Sequence, residues 1–226
     1  MKLMHVCFKC RTEWEAEGVP TNKDLCPTCS PEFRTFNKIS RLSRDIVITE
    51  KIDGTNGLIY IDENNNIFAG SRNRWLDDRM DNHGFWHWVM ENKEELLKLG
   101  KGYHYGEFWG KGIQRGYGLE EKRFSLFNVG RWCLYNEEPK LISIDNKTKI
   151  EKYQERLPKC CYLVPILYEG IFNTSIIQSV LDELKIKGSM ASPNFMNPEG
   201  IVIYHKAGNV YFKKTILNDE KGKSEN

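Results

Sequence analysis

Between residues 47 and 61 apolar and polar side chains alternate through "VITEK", break at "DGTNG" and resume through "LIYI". Alternation on both sides of a glycine-containing turn predicts two antiparallel strands, with Lys51 at the end of the first. The same strand-like pattern recurs in "NIFAGS" (66–71), "YHYGEFWG" (103–110), "RFSLFNVGRW" (123–132), "CYLVPILYEG" (161–170), "GIVIYH" (200–205) and "NVYFKKT" (209–215). Helical spacing appears twice. "DNHGFWHWVMENKEELLKLG" ends at Gly100, and "NTSIIQSVLDELKIKG" runs from the capping residues Asn173 and Thr174 to Gly188. Antiparallel strands with a few helices predict an α+β domain. His83 and His87, at i, i+4 spacing, read as part of an aromatic helix face packed on the sheet, because nothing near them supplies a third metal ligand.

Size and cysteine content refine this picture. A chain of 226 residues buries a full core without disulfides, which leaves its cysteines for other chemistry. Cys7 and Cys10, then Cys26 and Cys29, form two C-x2-C pairs separated by fifteen residues. That spacing suits two knuckles of a zinc ribbon over residues 1–32, and four sulfurs close a tetrahedron with no open position, so the site is expected to be structural. Two redox pairs are the alternative. Cys133, Cys160 and Cys161 sit among apolar residues and read as buried small side chains. The net charge of +2 does not by itself announce a nucleic-acid binder. No apolar run approaches a membrane span, and the N-terminus lacks a signal-peptide core, so a soluble cytoplasmic protein is expected. Residues 33–45 form a basic connector with helical character ("FRTFNKISRLSR"), and 218–226 a polar, flexible tail.

The segment "EKIDGTNG" resembles the K-x-D-G motif of the covalent nucleotidyltransferases: ATP-dependent DNA ligases, RNA ligases and messenger-RNA capping enzymes. "SRNRW" (71–75), "YGEFWGKGIQRGYG" (105–118), "RFSLFNV" (123–129), "EGIVIY" (199–204) and "VYFKK" (210–214) follow in the order of that family's other motifs. Asn56-Gly57 and the wording "GEFWGKGIQ" look most like the RNA ligase 2 branch, which phages often encode. The resemblance implies an antiparallel-sheet, ATP-grasp-like adenylation domain over residues 46–217. It also implies ATP and Mg2+ or Mn2+ as cofactors and RNA or DNA ends or nicks as partners.

The chemistry gives these residues a physical task. An amine that attacks the α-phosphorus of ATP must be neutral, whereas a free lysine with pKa ~10.4 is protonated at pH 7. Partial burial and neighbouring cations favour the neutral form, and the same cations offset charge that develops on the phosphates. The resemblance casts Lys51 as the nucleophile that becomes adenylated. Glu50 and Asn56 help hold the nucleotide, with exposed turn residues as the alternative. Arg72 contacts phosphate, or Arg74 if the register slips by two. Glu107 accepts from the ribose hydroxyls, and Phe127 stacks on adenine or, alternatively, lies in the core. Glu199 serves the divalent metal. Of the adjacent Lys213 and Lys214 only one can face the nucleotide in a strand, and Lys213 is favoured. The role of Asp53 stays open. "GKGIQRGYG" lacks the ending of a phosphate loop and is expected as a flexible surface loop whose Lys111 and Arg115 touch a nucleic-acid backbone.

Only a short polar stretch follows Lys214, whereas ligases and capping enzymes generally append a second domain there, commonly an OB-fold. The zinc ribbon or an accessory protein would then supply the grip on a polynucleotide. The expected function is an ATP-dependent polynucleotide ligase acting on RNA. The alternatives are a DNA ligase, a capping-type guanylyltransferase, and a nucleic-acid-binding module whose transferase domain has decayed.

Overall fold

The computed structural model describes residues 2–7, 9–17, 26, 28, 36, 38–132, 157–217 and 219. The chain divides into two compact units, Met1–Ile39 and Ser40–Asn226; the boundary falls inside the basic connector. In the first unit, β1 (Lys2–Val6) and β2 (Glu13–Glu17) form an antiparallel hairpin. No helix occurs among the described connector residues.

Two sheets organise the second unit. One has the order β11-β10-β3-β9, built from β3 (Asp45–Lys51), β9 (Ile166–Ile171), β10 (Gly200–His205) and β11 (Val210–Thr215), all antiparallel. The other has the order β5-β4-β6-β7-β8: β4 (Thr55–Ile61), β5 (Ile67–Gly70), β6 (Gly102–Gly110), β7 (Lys122–Leu126) and β8 (Cys161–Leu163), with only the β7–β8 pair parallel. β3 ends at Lys51 and β4 begins at Thr55, so the K-x-D-G turn carries the chain from one sheet to the other.

β3 is buried on both faces. Ile46 and Ile48 pack with Ile201 and Ile203 of β10 against Leu181 and Leu184 of the long helix Thr174–Lys187. Val47, on the other face, meets Trp109 of β6 together with Ile52, Tyr117, Val129 and Val164, a cluster that joins the two sheets. The long helix starts where Asn173 Oδ1 accepts from the amides of Ser175 and Ile176 (2.8 and 3.4 Å) and stops at Gly188, whose φ is 83°. The far face of the second sheet, with Ile59, Phe108 and Phe124, is covered by Phe85 and Val89 of α1 (Phe85–Glu91). Cys161 lies in this core.

Three expected elements differ. The first helix is broken into α1, α2 (Lys93–Leu96) and a 3-10 turn (Leu97–Leu99) because Asn92 leaves the helical conformation between them. "RFSLFNVGRW" is a strand only to Leu126; Val129–Trp132 form a single helical turn, α3. "CYLVPILYEG" is two strands in different sheets, parted at Val164-Pro165, since proline has no amide to give a ladder. The long helix Thr174–Lys187 is α4 hereafter.

Candidate active site

The Lys51 amine donates to Glu199 Oε2 at 2.5 Å, and both side chains are largely shielded, at 20% and 6% exposure. The register explains the meeting. Gly200, the first residue of β10, lies opposite Lys51, so Glu199 is delivered to the end of β3 where the lysine emerges. Glu107 of β6 comes from the facing sheet: its Oε1 accepts from the Gly54 amide (3.0 Å) and its Oε2 from the Asn56 side-chain amide (3.2 Å). The turn fits against β6 because Gly54 has no side chain; a Cβ there would come within 2.4 Å of the Phe108 carbonyl. Burial pushes the Glu107 carboxyl up to about 7, against the pull of Lys51, and Glu199 and Asp53 add to the rise. Lys51, Glu107, Glu199 and Asp53 therefore form one electrostatic cluster.

Asp53 is fixed from two sides. Its amide donates to the buried Tyr117 hydroxyl (2.9 Å), and its Oδ2 accepts from Arg115 Nε (3.0 Å). Arg115 also donates from Nη1 to the carbonyl and side-chain oxygens of Asn197 (3.0 and 2.8 Å), two residues before Glu199. The segment read as a flexible surface loop is thus a structural brace, with Ile113 and Tyr117 in the core. Arg115 spends its guanidinium on protein, while Lys111 stays at the surface, paired with Glu120 at 3.0 Å. The sequence reading missed Arg115 and Tyr117 as site-building residues; the apolar Ile113 and aromatic Tyr117, four residues apart in "GIQRGY", were the available signal.

Glu50 does not share the cleft. Strand neighbours point to opposite faces, and its carboxylate, 1% exposed, turns toward the α4 side. There it accepts from the Ser189 hydroxyl (2.6 Å) and the amides of Met190 and Ala191 (2.8 and 2.9 Å), and burial raises its pKa. The side chain expected to help hold the nucleotide is thus engaged with the 189–191 turn. Ser192, in the turn Glu50 holds, donates its hydroxyl to the Tyr117 carbonyl (2.8 Å), and Tyr117 holds Asp53.

The remaining candidates are spread around this cluster. Lys213 pairs with Val202 and through it with Thr49, on the same sheet face as Lys51, and is exposed. Lys214 pairs with Ile201 and Glu50 on the opposite face, and its amine lies 3.6 Å from Asp219. Asn56 and Glu107 lie opposite one another, with Ser125 completing the row on β7. Phe127, just past β7, is 40% exposed, and its amide donates to the Tyr105 carbonyl at 2.9 Å. It is not a core residue. Arg72 and Arg74 lie in the loop after β5 rather than on a strand, at an open cavity of about 380 Å3 that Thr55, Ser71, Asn73 and Asn82 also line. Both arginines are exposed, and Arg74 donates to the carbonyls of Met80 and Asp81 (3.3 Å each). That cavity reaches Thr55 of the turn but not Lys51, Glu107 or Glu199.

In the first unit, Cys7, Cys10 and Cys26 bring their sulfurs within 4.8 Å of one another. Hydrogen bonds from Thr12 are the main reason that the Cys10 thiol is lowered to about 6. Converging sulfurs with thiolate character suit Zn2+. Cys29, and the unrelated Cys133, lie outside the described residues. Among the described residues His87 belongs to no group of converging metal ligands; its Nδ1 is 2.7 Å from Asp81 Oδ2. Among the described residues no helix is long and apolar enough to cross a membrane.

No curated protein sequence matches the chain. Solved structures do match its fold. A Naegleria gruberi RNA ligase mutant with ATP and Mn superposes with a TM-score of 0.53 at 22% identity, over 77% of this chain and 50% of that one. A second mutant, with AMP and Mn, gives 0.52 at 21% identity over 77% and 50%, and an apo mutant 0.52 at 22% over 76% and 50%. The chain spans about half the length of these ligases. The family model described as RNA ligase matches residues 44–216, most of the sequence and all of the cluster around Lys51, and the chain belongs to the RNA ligase family.

Proposed function

We propose that the chain is an ATP-dependent RNA ligase that works through a covalent adenylate on Lys51. The observation that carries this reading is the Lys51–Glu199 pair at 2.5 Å, set beside Glu107 in a chain of the RNA ligase family. In the first step the Lys51 amine attacks the α-phosphorus of ATP; a P–N bond forms, the bond to the bridging oxygen breaks, and pyrophosphate leaves. AMP then passes to a 5′-phosphate, and a 3′-hydroxyl finally displaces it to seal the strand.

The chain's own residues prepare the first step. Glu199 holds the lysine in place while the amine is paired, and the amine must leave this partner and lose a proton before attack. A carboxylate oxygen suits a divalent Mg2+ or Mn2+, and the Glu199 carboxylate already meets a cation in the Lys51 amine. Glu199 is the residue placed to hold the metal, and the ion would supply charge compensation at the phosphates. Glu107 receives the ribose hydroxyls. Phe127 presents an exposed ring to the base, Lys213 takes the phosphate side of the sheet face, and Arg72 meets phosphate from the loop after β5. Asn56 steadies Glu107, and Glu50 acts only by bracing the turn. The first unit carries structural Zn2+ on Cys7, Cys10, Cys26 and Cys29.

The test is mass spectrometry after incubation with ATP and magnesium. One AMP per chain is expected, reversed by pyrophosphate and absent in Lys51→Ala. Label that persists in that variant removes Lys51 from the role.

A further inference from the structure

Alternation in the second sheet sets one set of side chains on the face that carries Asn56, Glu107 and Phe127. On β4 the set continues with Leu58 and Tyr60; on β6 it includes Tyr105 and Tyr103; on β5 it includes Phe68, which lies opposite Tyr60. Beyond Glu107 this face becomes a continuous run of rings. Tyr105 lies 6.3 Å from Tyr103 with the rings 14° from parallel, Tyr103 lies 4.5 Å from Tyr60, and Tyr60 lies 6.0 Å from Phe68 and 6.3 Å from Trp75. Tyr103 is 56% exposed, Tyr105 55%, Trp75 51% and Phe68 45%. No described residue covers them. Cross-strand aromatic pairs stabilise a sheet, but that accounts for rings touching each other and not for a row left open to water, which soluble proteins rarely keep at this extent without a use.

We propose that this row is a stacking platform for the bases of single-stranded RNA leading into the ligation site. The inference rests on the ligase reading above. Its first argument is continuity. From Glu107 to Tyr103 is four residues along one strand, about 13 Å, and from Tyr103 to Phe68 two strand spacings, about 10 Å. A strand end whose phosphate reacts beside Lys51 has in this exposed face an open path for its next few nucleotides. The second is chemistry: every base has a π-face, so rings grip RNA without reading its sequence, and three of the five rings carry hydroxyls suited to phosphate or ribose. The third is the far rim, where the exposed Trp75 ring carries the row on past Phe68 at 6.1 Å.

The experiment uses the full chain with Tyr103→Ala, Trp75→Ala and the pair together. Tyr103→Phe and Tyr103→Trp serve as ring-preserving controls, and thermal melting verifies folding. A fluorescent 5′-phosphorylated single-stranded oligouridylate reports binding across a salt series, and AMP adduct formation is read in parallel. Each alanine is expected to weaken RNA binding at least fivefold with the salt slope unchanged, since a ring contributes no counterion release. The controls should bind within about twofold of the parent, and adduct yield should not move. Unchanged RNA binding in the double variant overturns the platform even when the adduct forms normally. Unchanged RNA binding joined to altered self-association also overturns it, in favour of a protein partner on this face. If the parent forms no adduct yet loses RNA binding on ring removal, the ligase reading fails and the platform stands.

Discussion

Arg115 and Asp53 form an ion pair at 3.0 Å that ties the turn after Lys51 to the approach to Glu199. Both partners are mostly shielded, with side-chain exposures of 23% and 12%, so the pair is stronger than a surface bridge but not a dry one. Arg115→Ala should cost about 1–2 kcal/mol of stability and slow adduct formation on the isolated protein. Arg115→Lys keeps the charge without the fork and should restore only part of the rate. Were Arg115 an RNA contact, the adduct rate would stay at the parent level and only RNA binding would fall.

Glu50 offers the complementary test. Its carboxylate satisfies three donors of the 189–191 turn, and Glu50→Ala would leave them buried and unmatched, at a cost of about 2–4 kcal/mol. The expected result is a lower melting temperature with an unchanged KM for ATP in the molecules that remain folded. A large rise in KM at unchanged stability would return Glu50 to the nucleotide.

The strands and the order of the motifs were legible because they rest on local pattern: alternation, glycine turns and an Asn-Thr cap each act within a few residues. What could not be read depends on which strands become neighbours. The side of β3 that Glu50 occupies follows from α4 covering Ile46 and Ile48, and nothing near residue 50 records it. The break at Val164-Pro165 was in plain view, but its consequence, a change of sheet, is a matter of topology. Arg115 looked like a surface cation because its two partners, Asp53 and Asn197, lie on opposite sides of it in sequence and meet only in the fold. Lys213 and Lys214 were separable once the register with Val202 and Ile201 was known.

Glu107 gives the protein a pH signature. Its carboxyl is raised from 4.5 to about 7, chiefly by burial, so the folded state binds a proton that the unfolded state has already released between those values. Stability on this account is greatest below about 4.5, declines as pH rises through the window and levels off above about 7. Other carboxyls add their own slopes, so the informative quantity is the difference from Glu107→Gln, whose neutral amide mimics the protonated form. That variant should gain stability relative to the parent as pH rises from 4.5 to 7, by up to about 3 kcal/mol at pH 8, while forming adduct more slowly. Melting curves at a series of pH values decide it; a constant difference across the window would show that Glu107 keeps an ordinary carboxyl.

Zinc in the first unit can be tested apart from catalysis. Cys7, Cys10 and Cys26 already converge to within 4.8 Å, and a four-sulfur site leaves no coordination position for substrate. The full chain purified without chelator should release about one zinc per molecule when its thiols are titrated with a mercurial, as the stoichiometry of one tetrahedral site requires. Cys10→Ser should lower that yield and loosen the hairpin β1–β2, seen as faster proteolysis before residue 40. Because Cys10 and Lys51 belong to different compact units, adduct formation by Cys10→Ser should match the parent. Zinc content near zero in the parent would favour redox pairs, which a disulfide assay under oxidising conditions would then reveal. Loss of the adduct in Cys10→Ser, with the second unit still folded, would instead assign the metal a part in adenylation that its closed coordination denies.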